Sequence, residues 1–314
     1  MSTRPNAVPE SPLGPQPIAP TRMSRTRPFC WSVRRELWEN RSIYIAPLAA
    51  AALYMLGFLI SLIAAPHGVS ALSTIDPSQQ PAMLAQPYSH AGMLLMVTAF
   101  LVGIFYSVDA LHGERRDRSI LFWKSLPVSD LTTVLSKACI PLVVLPLVVF
   151  TIAVPLQVIM RLLNTAFLFL RGVSGTPLWR LPLFQMELVM LYGLVVLALW
   201  HAPMYAWFLL VSGWARRMAI LWAVLPLLAI SVAEYIAFHT TYIGSMLSDR
   251  LFGFAAAAFD LTTPSGAPVD PHFIPLAQLA PEKFLSSPGL WLGLIIAAIL
   301  LAATVRMRRY REPI

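Results

Sequence analysis

Residues 43–65 read IYIAPLAAAALYMLGFLISLIAA, from Ile43 to Ala65, with no charged side chain anywhere in the run. About 20 apolar residues in a helix cross the hydrocarbon core of a bilayer, so this stretch reads as a membrane span. The same reading recurs downstream at about 90–108, 138–160, 183–214, 218–238 and 289–305. The run 183–214 is too long for one upright helix and predicts a tilted or kinked one, with Pro203 at the bend. Of the 314 residues 57% are apolar and 12% charged, against about 25% charged in a soluble domain. So little charge cannot cover a water-soluble body of this size. A disordered chain, a disulfide scaffold and an ordinary soluble enzyme are excluded. The expected fold class is all-α, a polytopic membrane protein with six transmembrane helices.

The segments between the runs set the organisation. Residues 1–27 are rich in proline and arginine without an apolar run, and they read as a disordered cytoplasmic tail rather than a secretory signal. Residues 28–42 predict an amphipathic interfacial helix, with an apolar side of Phe29, Val33 and Leu37 flanked by Trp31 and Trp38. Ser32, Glu36 and Glu39 would face away from that side. Tryptophan and arginine on such a helix suit the headgroup boundary. The six-span domain covers 43–305, and 306–314 forms a basic cytoplasmic tail. With the amino terminus inside, the inner segments hold 18 of the 23 basic residues and the outer ones 5. That bias predicts both termini in the cytoplasm. It also explains the net charge of +8 without a nucleic-acid partner. Arg161, Arg171 and Arg180 in the outer loop 161–180 are the exception. Cys30 and Cys139 both fall on the inner side and read as reduced structural residues. In the long outer loop 239–288, Leu251–Phe259 is apolar but too short to cross. It reads either as a re-entrant or surface helix or as a patch packed on neighbouring spans.

Chemistry is sparse. No glycine-rich phosphate loop precedes a Lys-Ser pair, no paired histidines bracket a glutamate, and no glycine-flanked serine elbow occurs. Catalytic and metal-binding residues are therefore expected to be none, and the chain is not expected to be an enzyme. Glu187 and Glu234 are the acids inside apolar runs. Each should face the bundle interior, a cavity or a partner, on a substrate or proton path, in a structural pairing with Arg180 or His239, or simply exposed at the interface near the outer end of its span. Gly289 and Gly293 form a GxxxG pair that permits close helix approach.

The inner loop after the second run is the informative one, DALHGERRDRSILFWKSLPVSDLTTVLSK from Asp109 to Lys137. Glu114 and Arg118, four apart, favour a helix continuing out of the membrane. Ile120–Trp123 is apolar, Pro127 ends the helical stretch, and Ser129 is an expected N-cap for the next span. A short helix held between two turns would pass a push from a docked partner to two spans at once. Glu114-Arg115-Arg116-Asp117-Arg118-Ser119, then Trp123-Lys124-Ser125-Leu126-Pro127-Val128-Ser129 and Lys137, resemble the signature of ABC-2 type transporter permeases. The wider layout is similar too, with a flat amino-terminal helix, six spans and a large last outer loop.

That resemblance implies an export-type permease subunit in a bacterial inner membrane, with no cofactor of its own and ATP bound by a separate ATPase subunit. It implies pairing with a second permease subunit, identical or sister, and a substrate path along that interface lined by spans two and five. The family's ATPase contacts fall on the elbow helix and on this loop. Carried over, they are Glu114, Arg115, Arg116, Asp117, Arg118, Ser119, Phe122, Trp123, Lys124, Ser125, Leu126 and Pro127, chiefly Arg115, Arg118, Phe122, Trp123 and Lys124. The basic loop 161–180 does not map onto the family pattern. The alternatives are an ion- or proton-coupled secondary transporter using Glu187 and Glu234, and a membrane assembly factor that transports nothing.

Overall fold

The computed structural model describes residues 26–64, 80–117, 128–170, 181–260 and 276–310. The tail 1–25, residues 118–127 and parts of the three expected outer loops lie outside them. Among the described residues the chain is helical, without a strand beyond one isolated bridge between Phe259 and Leu279. Six helical stretches are long and apolar enough to cross a membrane: Ser42–Ala64, Met83–Arg116, Asp130–Leu170, Leu183–Trp214, Ala219–Phe238 and Pro288–Tyr310. The architecture is that of a multi-pass membrane protein.

Helix α1 (Thr26–Glu39) leads into α2 (Ser42–Ala64). α3 (Gln80–Asp109) is followed by the single turn α4 (His112–Arg116). α5 (Asp130–Cys139) continues through a π turn at Ile140–Val144 into α6 (Leu145–Leu170). The π turn has a local cause, because Pro141 lacks the amide that would continue the ladder. The helices overrun the apolar runs that reveal them. The third stretch is 41 residues, about 60 Å long at 1.5 Å per residue, so it projects well beyond a hydrocarbon core of about 30 Å. Arg161 therefore lies inside α6 and not in a loop. Hydropathy marks where a helix meets lipid, whereas caps and breakers decide where it ends.

α7 (Leu183–Trp214) runs through Pro203 as one helix and is the hub of the bundle. It packs against α3 and against α12 (Pro288–Tyr310). Gly103 of α3 lies where a Cβ would strike the Tyr205 ring at 2.9 Å, so the missing side chain is what allows these helices to close. Leu95, Leu145, Val149, Ala153, Met160 and Leu194 are fully buried in the shared core. α8 (Ala219–Phe238) hangs on the outside, with only Ala219 and Ala223 buried, and a hydrogen bond from the Trp207 indole to the Ala223 carbonyl (3.0 Å) holds it. Both flanking residues, Met218 (φ 49°) and His239 (φ 52°), are left-handed, a costly conformation for side chains of this size.

The segment 239–288, expected outside, resolves toward packing in its described part. α9 (Tyr242–Phe252), α10 (Phe254–Ala258) and α11 (Pro281–Ser286) lie against α7, burying Ala258, Phe259 and Phe284 beside Val196 and Trp200. The glycine pair of α12 does more than admit a neighbouring helix. Arg250 of α9 donates to the Gly289 carbonyl and to the Trp200 carbonyl (3.3 Å), and a Cβ on Gly293 would collide with its guanidinium. Gly293 leaves the room for this arginine and the Gly289 carbonyl holds it, and its charge also lies 4.6 Å from the centre of the Trp200 ring.

Candidate functional site

The turn that opens the signature loop is bolted to the end of α7. Ser212, fully buried, accepts hydrogen bonds from the amides of Leu111 (3.0 Å) and His112 (2.8 Å), which head the turn α4. Arg115 donates in the opposite direction, to the carbonyls of Gly213 (2.8 Å) and Ala215 (3.3 Å). The last carbonyls of a helix have no partner within it; here a buried guanidinium supplies one.

One turn away is a buried network of charges. Lys137, 1% exposed, lies 2.9 Å from Glu36 and 3.0 Å from Glu114. Arg35 reaches both of the same carboxylates, at 2.7 and 2.9 Å. Arg308, near the end of α12, joins Glu114 (3.2 Å) to Asp130 (3.1 Å), the first residue of α5. The Tyr106 hydroxyl donates to Glu36 (2.7 Å). Within it three carboxylates and three cations balance, the condition for burying so much charge, while a fourth carboxylate, the exposed Glu39, touches Arg35 from the edge at 3.5 Å. Burial by itself raises the Glu36 carboxyl, but Lys137, Arg35 and Tyr106 outweigh it and bring Glu36 below the usual carboxylate range. The network joins α1, the α3–α4 junction, α5 and α12, so both ends of the described chain lie at one end of the bundle.

This arrangement corrects the reading of α1. Ser32 and Glu36, expected to face away, are buried, whereas Trp31 and Trp38 are 64% and 67% exposed. Ser32 satisfies itself on the Pro28 carbonyl (2.9 Å) and Glu36 is neutralised by ion pairs, so the polar stripe turns inward. Val33 and Leu37 do pack against the core as expected. Glu114 spends its charge on Arg35, Lys137 and Arg308, and α4 stops at Arg116 instead of continuing. The basic end at 306–310 is not a tail but the last turn of α12.

Of the loop residues singled out from sequence, Glu114 and Arg115 are buried, and Arg116 and Asp117 form an exposed pair at 3.2 Å. Arg118, Ser119, Phe122, Trp123, Lys124, Ser125, Leu126 and Pro127 lie outside the described residues. On the far side Ser129 caps α5, accepting from the Thr132 amide at 3.1 Å. Glu187 is half-buried near the start of α7, one carboxylate oxygen buried without a partner among the described residues. Glu234 accepts hydrogen bonds from Thr240 Oγ1 (2.8 Å) and from the amides of Tyr242 (2.7 Å) and Ile243 (2.9 Å). It caps α9 from the preceding helix, not pairing with His239, and no hydrogen bond or ion pair among the described residues joins it to Glu187.

Sequence reasoning missed Glu36, Arg35, Tyr106, Asp130 and Arg308 as members of the site. The available signal was Lys137. It lies at the edge of a long apolar helix, where an ammonium needs an acid, and the one acid of α5, Asp130, is two turns away. No three His, Cys, Asp or Glu side chains among the described residues could together hold a metal ion. Comparison with protein-family models, with curated proteins and with solved structures gives no match for this chain.

Proposed function

We propose that this chain is the membrane-spanning permease subunit of an ATP-driven exporter of the ABC-2 type, in a bacterial inner membrane with both termini inside. A separate ATPase would bind the loop 118–127, and a second permease subunit would complete the pore. The observation that carries this reading is the anchoring of that loop. Its near foot, Glu114–Arg115, is tied to α1, α7 and α12, and its far foot, Asp130 and Lys137, to α1 and α12. Close-packed, ion-paired elements shift as bodies rather than deform. A force on the loop is thereby delivered to four helices together, which is what coupling to an external motor requires. Glu114 and Arg115 act as positioning residues in this scheme, and the contacts fall to the loop between them and Ser129.

Reversing Arg118 and Lys124 together (Arg118→Glu, Lys124→Glu) tests it. The double variant should insert and melt like the parent, yet lose more than about tenfold in co-purified ATPase and in ATP-dependent flux. A change of that size corresponds to about 1.4 kcal/mol, well within the reach of two interface charges. Full ATPase retention in that variant would remove the coupling role. Flux driven by a proton gradient and stopped by Glu187→Gln would replace the whole reading with a secondary carrier.

A further inference from the structure

The exposed side of α1 carries a pattern unrelated to the buried charges. Arg27, Trp31, Arg34 and Trp38 follow at spacings of four, three and four, which puts them on one stripe, Arg41 comes just past its end, and all five are exposed. The Arg34 guanidinium sits between the two indoles, 5.5 Å from the centre of the Trp31 ring and 4.8 Å from that of Trp38. Arg27, Arg34 and Arg41 take part in none of the ion pairs among the described residues. Beside the stripe is a groove of about 320 Å³ between α1 and the start of α5, walled by Trp31, Arg34, Trp38, Val128 and Thr133.

We infer that this stripe is a binding site for the phosphate headgroup of an anionic phospholipid. Two observations select that occupant. First, only Asn40 and Arg41 separate α1 from the apolar helix α2, so the chain itself holds the stripe at the edge of the hydrocarbon, level with headgroups. Second, two arginines on the stripe and a third just past it, with no acid on the stripe, complement an anion, and flanking indoles place apolar rings where acyl chains begin. Arg34 offers the phosphate a fork of donors. The tryptophans hold that fork over the groove by cation–π contact, and the groove takes the upper part of the lipid. The inference needs only that the chain spans a membrane, and it stands or falls apart from the transport reading.

Native mass spectrometry of the detergent-solubilised full chain, titrated with phosphatidylglycerol or phosphatidylcholine, reads the site directly. The wild-type chain should retain phosphatidylglycerol at least about fivefold better than phosphatidylcholine, the order of one arginine at a membrane surface. Arg34→Gln should remove that preference, Arg34→Glu should invert it, and Arg34→Lys should keep most of it. Phosphatidylcholine adducts should stay constant throughout. Arg217→Glu, an exposed charge elsewhere on the chain, should change nothing. Equal retention of the two lipids overturns the proposal, as does an equal loss in Arg217→Glu, which would reduce it to general charge attraction. Arg34→Glu with intact lipid preference but lost ATPase co-purification also overturns it, by making the stripe a protein dock.

Discussion

At Lys137 one ammonium separates two carboxylates that approach it within 3.0 Å, in a site closed to solvent. Its removal leaves Glu36 and Glu114 facing each other with too little positive charge. Breaking a buried pair from one side costs about 3–5 kcal/mol. Lys137→Met should therefore lower the melting temperature of the detergent-solubilised chain markedly, and adding Glu36→Gln should restore much of the loss. If Lys137→Met melts like the wild type, the pairs carry no stability. The pH dependence has a definite sign. The folded value of Glu36 is depressed by Lys137, Arg35 and Tyr106 against the opposing effect of burial. Its contribution is whole above the unfolded carboxyl value near 4.5 and fades as pH falls through the lower folded value. Thermal stability should be flat with respect to this group from neutral pH to about 5 and decline below that. The decline should be shallower in Glu36→Gln.

For the helices themselves, the spans were legible because an apolar run in lipid has few alternatives to a helix. Their ends were not, since polar turns such as Ser129–Lys137 extend a helix without adding hydropathy. The facing of α1 was misread for a related reason. In water a Ser–Glu stripe belongs outside, but at a bundle end furnished with Lys137 and Arg35 the carboxylate finds better partners within. Four elements distant in sequence meet at Glu36 and Glu114, and spacing along one chain does not encode such a meeting. Glu234 shows the same limit. As an acid in an apolar run it reads as a functional site, yet its carboxylate serves the amides of Tyr242 and Ile243 at the head of α9. Glu234→Ala should leave those amides bare and speed their hydrogen exchange roughly fivefold, the usual strength of an N-cap. Gln, which keeps an acceptor oxygen, should restore most of the protection. Unchanged exchange in the alanine variant would argue that water caps α9 equally well.

In the whole molecule a rigid end contrasts with a loosely held flank. α1, α4, α5 and α12 are locked through one charge network. α8 by contrast touches the bundle through few buried residues and is joined by left-handed residues at either end. A motor acting on the locked end would move it as a unit, with α8 free to follow or to meet a second subunit. That picture depends on the locked end facing the cytoplasm, where ATP is. The basic residues favour it, 18 against 5. Cys30, exposed on α1, reports it directly. In a Cys139→Ser background a membrane-impermeant maleimide should label Cys30 in inside-out vesicles and spare it in intact cells. Gly244, which has open space around its missing side chain, provides the opposite reporter on α9. Gly244→Cys in a chain lacking both native cysteines should label from the outer face alone. Labelling of both positions from one face would contradict the five crossings, an odd number, that separate them. A swapped pattern would keep the six helices but place the charge network outside, beyond the reach of any cytoplasmic ATPase.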